Sequence, residues 1–282
     1  MSVHVIHEYD LHCHTTASDG RLSPEALVER AYERGIRTLA ITDHDTAAGY
    51  RLALPTAQRL GVKLVSGIEL SCVWGGATLH IVGLHFDPES DAMQDAEHTQ
   101  RSARIERADI IAQRLAKCVK QPIHMADVEA LAGGEVGRPH FAQYLVNRGL
   151  AADMASAFKK YLGAGKPGDV KTSWPSLYDA VQWIVAAGGI PVMAHAHLYK
   201  MTRTKLRACL DDFVAAGGQG LEVAYGLMDN NQRGQMAALA REYHLLGSCG
   251  SDYHGPNRFG LDLGVMPPFP KDVTPVWNHF SA

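Results

Sequence analysis

At 282 residues, 46% of them apolar, the chain is long enough to bury one α/β barrel core with an insertion, or two modest domains. It holds no apolar run of the roughly 18 to 20 residues that a membrane span needs, and Met1-Ser2-Val3-His4 lacks the basic start and apolar stretch of a signal peptide, which predicts a soluble, cytoplasmic protein with no membrane contact. A net charge of -3 with a pI near 6.6 argues against duplex DNA binding, and five scattered cysteines (Cys13, Cys72, Cys118, Cys209, Cys249) without a C-x-x-C pair argue against a disulfide framework or a thiolate zinc site.

Short Val/Ile/Leu-rich runs lie near 6–11, 38–42, 63–68, 79–84, 190–194, 220–223 and 246–249. The first ends in Asp10-Leu11-His12-Cys13-His14; on a strand His12 and His14 share a face, while Leu11 and Cys13 turn into the other layer. Asp19 follows. Ser23-Pro24-Glu25 then reads as an N-cap and first turn of a helix closed by Gly35. The second run leads into Thr42-Asp43-His44-Asp45 and a helix over 46–60, the third ends at Glu69, and the fourth contains His80. From about Glu97 to Gly188 the alternation gives way to helices near 97–118, 126–132, 139–148, 151–162 and 175–187, broken by Gly133-Gly134 and by Gly163-Ala164-Gly165-Lys166-Pro167-Gly168. Alternation then resumes: a strand before His195, a helix over 203–216, the strand 220–223, a helix over 229–243, and a last strand before Ser251-Asp252-Tyr253-His254. Pro267-Pro268-Phe269-Pro270 reads as an ordered tail.

Seven strand units alternating with helices predict a parallel sheet in a closed or nearly closed barrel. Residues 1–96 and 189–282 would form it, and 97–188 would be a mostly helical insertion capping its active face. Between Thr99 and Ser173 twelve Lys/Arg meet seven Asp/Glu, leaving fifteen and twenty-three elsewhere. An acidic scaffold suits cations, and a basic middle suits an anionic substrate. Arg101, Arg104, Arg107 and Arg114 have an equally good reading as one solvated helix face.

Imidazoles and carboxylates delivered from several strand ends to one place are what a site with more than one metal ion needs. Lone histidines such as His85, His98, His124, His244 and His279 carry no such signal. Oxygen and imidazole donors without thiolate suit manganese, iron or zinc. Asp43 and Asp45 cannot both reach the site beside His44, so Asp43 is expected to hydrogen-bond a ligand imidazole instead. Among cations, Arg138 in Gly137-Arg138-Pro139-His140 is the first candidate for a phosphate, with Lys171 and Arg203 next. His140 would touch phosphate or cap its helix.

The motifs Asp10-Leu11-His12-Cys13-His14, Ile41-Thr42-Asp43-His44-Asp45, Gly67-Ile68-Glu69, Ala194-His195 and Ser251-Asp252-Tyr253-His254 resemble, in order, those of the PHP (polymerase and histidinol phosphatase) phosphoesterases. Val136-Gly137-Arg138-Pro139-His140 and Gly165-Lys166-Pro167-Gly168 are similar to the insertion of the branch that contains a nucleotide 3′,5′-bisphosphate phosphatase and the exoribonuclease RNase AM. The resemblance implies a distorted (β/α)7 barrel, related to the amidohydrolases, with two or three divalent metals, manganese favoured over zinc or iron. It implies one position held by His12, His14, Glu69 and Asp252, a second by Glu69 with His80 and His195, and a third by Asp19, His44 and His254. His12, His14, Glu69, His195, Asp252 and His254 would carry catalysis. Where the family reads Ala-His-Pro this chain reads Ala194-His195-Ala196-His197, which makes His197 a candidate ligand, substrate contact or proton donor. The implied activity removes the 3′-phosphate from nucleoside 3′,5′-bisphosphates such as pAp. Alternatives are 5′-3′ trimming of short 5′-phosphorylated RNA, a histidinol-phosphate-type phosphatase, C–N bond hydrolysis, and a structural or regulatory PHP module.

Overall fold

Turn chemistry decides how the apolar runs pair. The computed structural model describes residues 4–132, 136–170, 174–256 and 262–280. Its strands are β1 (Val5–Ile6), β2 (Tyr9–Asp10), β3 (Thr38–Ala40), β4 (Lys63–Val65), β5 (Gly67–Trp74), β6 (Ala77–Leu84), β7 (Ile190–Met193), β8 (Gly220–Tyr225), β9 (Leu246–Gly250) and β10 (Val265–Met266). Among the described residues they form an antiparallel pair β1-β10, a parallel sheet β2-β3-β4, and a mixed sheet β5-β6-β7-β8-β9. The two larger sheets touch at both margins. The Leu11 amide donates to the Cys249 carbonyl at 3.0 Å, Cys13 bridges Tyr253, and His44 bridges Glu69.

The expected all-parallel sheet fails at β6, which runs antiparallel to both β5 and β7. The cause is Gly75-Gly76, both at positive φ (53° and 77°), which closes a two-residue hairpin with Trp74 opposite Ala77.

The helices are α1 (Pro24–Glu33), α2 (Ala48–Leu60), α3 (Asp91–Val119), α4 (Met125–Glu129), α5 (Arg138–Asn147), α6 (Met154–Ala157), α7 (Leu177–Ala186), α8 (Arg203–Ala215) and α9 (Asn230–Glu242). Ser23 caps α1 as expected, its hydroxyl accepting the Ala26 amide at 3.2 Å. Helix α3 starts earlier than the expected position 97, because the Ser90 side chain caps it by accepting the Met93 amide. None of these helices is long and apolar enough to cross a membrane.

Helix α3 serves two apolar cores. Its Met93 and Ala96 pack with strand residues such as Ile68, Leu70 and Ile81, while Ile111 and Leu115 pack with Val128, Phe141, Leu145, Leu162 and Val170. Helix α7 joins the first core through Leu177, Ala180, Val181 and Ile184, so it packs with the sheet and with α3. Phe141 is 1% exposed in the second core. Its truncation removes contacts that the neighbours cannot refill, so Phe141→Ala should cost about 3 to 5 kcal/mol. A lowered urea midpoint at unchanged slope would register the loss, and an unmoved midpoint would show that this core adds nothing to stability.

Candidate metal centre

Regular strand β2 stops at Asp10, and the residues after it carry the first site histidines. The Asp10 carboxylate accepts the amides of Ser251 (2.9 Å) and Gly264 (2.8 Å), which ties this turn to the chain beyond β9. His12 and His14 converge with ring centroids 5.2 Å apart, and both are fully buried. Leu11 and Cys13 do not share a layer as the strand period suggested. Leu11 packs with Ala40, Val82 and Val192, and Cys13 with Leu27 and Leu39, because regular pleating has already ended. Gly250 on β9 passes against His12, where an added Cβ would lie 2.2 Å from the His12 Cβ. A side chain there would displace the ring.

Glu69, third in β5 and 1% exposed, is the hub. Its Oε1 lies 3.0 Å from His80 Nδ1, 3.0 Å from His195 Nε2 and 3.3 Å from His12 Nε2. Its Oε2 lies 2.9 Å from His44 Nδ1 and 3.4 Å from His14 Nε2. Asp252 Oδ1 stands 3.2 Å from His14 Nε2 and 3.5 Å from His12 Nε2. Asp19 Oδ1 lies 3.2 Å from His254 Nε2, and its Oδ2 3.9 Å from His44 Nε2. The nine candidate ligands therefore meet in one place, in four overlapping groups: His14/Asp19/His44/His254, His12/Glu69/His195, His12/His14/Asp252 and His44/Glu69/His80.

These atoms fit cations better than they fit one another. Buried His12 Nε2, both ring nitrogens of His14, His44 Nδ1 and Glu69 Oε2 have close neighbours but no aligned hydrogen bond. Leaving so many buried polar atoms unpaired is costly unless something charged satisfies them together. Crowding also splits their protonation. Burial, with the charges of His254 and His44, pulls His14 down to about 3, whereas on His254 the carboxylates of Asp19 and Asp252 outweigh burial and hold it up at about 10. Burial disfavours charge on Glu69 and Asp252, yet the surrounding imidazoles keep both well below the usual carboxylate range. Asp45, His195 and Asp252 all adopt positive φ (60°, 30° and 52°) without being glycine. Such backbone persists where the surroundings hold it.

Asp43 does not bond a ligand imidazole as expected. It accepts from the Thr15 amide (2.7 Å), the Thr15 hydroxyl (2.6 Å) and the Ser18 hydroxyl (2.6 Å), and so orders the loop that carries Asp19. Asp45 accepts the Ser71 amide at 2.6 Å and pairs with Arg104 at 2.5 Å. Supporting contacts that the sequence reading did not single out come from Tyr225, whose hydroxyl donates to Asp252 at 2.7 Å, and from Glu222 on β8.

A cleft beside the cluster is lined by Asp19, His44 and His80 together with Arg104, Arg107, Arg138 and Trp174. Arg104 and Arg107 are not solvated helix charges: they are only 6% and 7% exposed, and both guanidiniums lie over the Trp174 ring, at 5.3 and 5.1 Å. Arg101 and Arg114 on the same helix are exposed. Arg107 donates Nε–H to the Val170 carbonyl at 2.9 Å, and burial plus the nearby charges of Arg138 and Arg104 pull it down to about 9. Arg138 donates to the Leu162 carbonyl and has Asp169 at 4.0 Å.

The remaining candidates fall apart. His140 Nδ1 accepts the Gly137 amide at 2.9 Å, which is the helix-capping role. His197 lies against the Tyr225 ring, with centroids 4.8 Å apart, and both its ring nitrogens are buried without a partner. Arg203 is exposed at the start of α8 and does not line the cleft. Lys171 lies outside the described residues.

Comparisons with known proteins identify the family. The PHP domain profile matches residues 10–164. A 5′-3′ exoribonuclease from Haemophilus influenzae is 43% identical over 273 residues, covering 97% of this chain and 99% of the relative. A 3′,5′-nucleoside bisphosphate phosphatase from Chromobacterium violaceum is 40% identical over 278 residues, covering 97% and 96%. A solved structure described as an amidohydrolase from Chromobacterium violaceum, with bound sulfate and no metal, superposes with a TM-score of 0.89 at 38% identity, covering 97% of this chain and 96% of that one. With more than half of its length inside the domain match and whole-length relatives at this identity, the chain belongs to the PHP family.

Proposed function

We propose that the protein is a metal-dependent phosphomonoesterase that hydrolyses the 3′-phosphate of nucleoside 3′,5′-bisphosphates, releasing the 5′-monophosphate and phosphate. The observation that carries this reading is Arg107, a buried guanidinium that donates to the Val170 carbonyl and is crowded by the charges of Arg138 and Arg104, in a cleft that opens on His44 and His80. A buried cation in that position calls for an anion, and a substrate with two phosphates supplies one to the arginines and one to the cluster. The name of the Chromobacterium violaceum relative supports the same substrate class. The second reading, 5′-3′ removal of nucleotides from short RNA, is favoured by the name of the Haemophilus influenzae relative. Both substrates present a 5′-phosphate one nucleotide away from a scissile 3′ ester.

His12, His14, Glu69 and Asp252 would hold one metal, Glu69 with His80 and His195 a second, and Asp19, His44 and His254 a third; the short distance from His14 Nδ1 to Asp19 (3.7 Å) adds His14 to the last group. Manganese is the favoured ion, with zinc and iron as alternatives for this donor set. Bound divalent ions would supply an activated water and neutralise phosphoryl oxygens. The chain's own residues do the rest: Arg107 and Arg138 grip the remote phosphate, Trp174 backs the guanidiniums, and Asp45 fixes Arg104. The distorted (β/α)7 barrel, and a cap over 97–188 delivering Arg104, Arg107 and Arg138, belong to the same proposal. The hydrogen bonds at both sheet margins and the separate second core support them.

Losing one charge-assisted hydrogen bond costs about 1.5 to 3 kcal/mol, so Arg107→Ala should lower kcat/KM on pAp roughly ten- to a hundredfold. The rate on 3′-AMP, which has no remote phosphate to lose, should barely change, and metal content should stay at the parent level. Equal losses on both substrates would return Arg107 to a purely structural role.

A further inference from the structure

Strand β8 is buried at all six positions, and Glu222 within it is 1% exposed. A carboxylate in that setting needs partners for both oxygens. Glu222 Oε1 lies 2.6 Å from His12 Nδ1, and Oε2 accepts the His195 amide at 2.5 Å. We infer that Glu222 is the positioning residue of the metal centre, one carboxylate that sets two ligand histidines, each just past the end of a different strand, for cation binding. The inference rests on the metal reading of the cluster given above.

The two contacts do different work. On His12, a proton held at Nδ1 by Glu222 leaves the lone pair on Nε2, and that nitrogen faces Glu69 (3.3 Å) and Asp252 (3.5 Å) with no hydrogen bond of its own. On His195 the contact is to the backbone. That residue sits at φ 30° and ψ 43°, a region that side chains rarely adopt, and the bond to Glu222 ties it down where its ring nitrogen Nε2 reaches Glu69 at 3.0 Å. The pairing of β8 with β9 shifts register between Glu222 and Ala224, a local irregularity of the kind that re-aims side chains beside active sites. Glu222 belongs to none of the four ligand groups, and its two oxygens face His12 Nδ1 and the His195 amide.

Glutamine is the informative replacement. Two acceptor oxygens face two donors, whereas an amide offers one acceptor and one NH2. If the amide oxygen takes the His195 N–H, its NH2 faces His12 Nδ1 and drives the imidazole proton to Nε2, the nitrogen meant for metal. If it turns the other way, the His195 amide loses its acceptor. Partners that orient a metal ligand typically matter ten- to a hundredfold in affinity.

The test measures Mn2+ and Zn2+ affinity of metal-stripped parent and Glu222→Gln protein by competition with a chelating dye. Thermal unfolding of the metal-free forms and phosphate release as Mn2+ is raised are followed alongside. Glu222→Gln should bind as many ions as the parent with about ten- to a hundredfold lower affinity. Its metal-free unfolding temperature should stay close to the parent's, and excess Mn2+ should recover activity. Parent-like affinity would overturn the inference; so would the loss of one whole equivalent that excess metal does not restore, since that marks a direct ligand. If the glutamine variant does not fold, Glu222→Asp serves, because a side chain shorter by one methylene must lengthen at least one contact. Parent-like affinity there overturns the inference equally. A parent that binds no metal at all would instead defeat the metal reading beneath it.

Discussion

Glu69→Gln should lose metal and activity together. Five imidazole nitrogens lie within 3.4 Å of its two oxygens, three on Oε1 and two on Oε2. An amide keeps the shape but replaces one acceptor with an NH2, which repels a cation and, by hydrogen bonding, occupies imidazole lone pairs that the cation would need. Because the carboxylate touches residues of all four ligand groups at once, the loss should exceed the roughly hundredfold typical of residues that only support a ligand. His244→Asn is the control. His244 lies beyond α9 at φ 54°, a conformation that asparagine tolerates, so neither the backbone nor the cluster is disturbed. Metal counted per chain after gel filtration decides the matter. Full occupancy in the Glu69 variant would remove it from the ligand set.

The convergence of the candidate ligands was legible because packing does not choose those positions. Histidine or a carboxylate at the end of an apolar run, repeated at His12, His44, Glu69, His195 and Asp252, is a residue type a core strand would avoid, and strand ends are where sheets deliver side chains to a common site. The arginines were not legible in the same way. Arg101, Arg104, Arg107 and Arg114 look alike along the chain, and only the packing of Trp174, from a distant segment, decides that two of them turn inward. Helical spacing places 104 and 107 together, but spacing does not say which face is covered.

Glu222 was hidden for the opposite reason. Gly220-Leu221-Glu222-Val223-Ala224-Tyr225 reads as an ordinary buried strand, and its single acid was the signal, since a lone charge inside six buried positions requires a partner. Asp43 shows the limit of such arguments. Its position beside His44 suggested a bond to a ligand ring, yet its oxygens are filled by Thr15 and Ser18, whose approach depends on how the loop after His14 folds back. At β6 the local signal was present in Gly75-Gly76, where a two-residue turn with both φ values positive outweighs the strand and helix alternation on either side.

Among pAp, 3′-AMP and 5′-AMP, only pAp should be hydrolysed well. The cluster acts on one phosphorus at a time, so the other phosphate is free to be held by Arg107 and Arg138, which line the same cleft as His44, His80 and Asp19. Binding energy gained on that remote group can be used to orient the reacting one, which raises the rate of the chemical step as well as binding. Two charge-assisted contacts at about 1.5 to 3 kcal/mol each would place 3′-AMP about two or more orders of magnitude below pAp in kcat/KM. 5′-AMP, whose lone phosphate belongs to the arginines, should accumulate as product and release no phosphate. Phosphate release from the three nucleotides in one Mn2+ buffer is sufficient, with 5′-phosphorylated oligoribonucleotides run beside them and checked for shortening. Equal rates on all three would mean that the arginines do not select the substrate. Shortening of the oligonucleotides faster than release from pAp would make RNA the primary substrate of the same cleft, with Arg107 and Arg138 gripping the 5′ end of the chain.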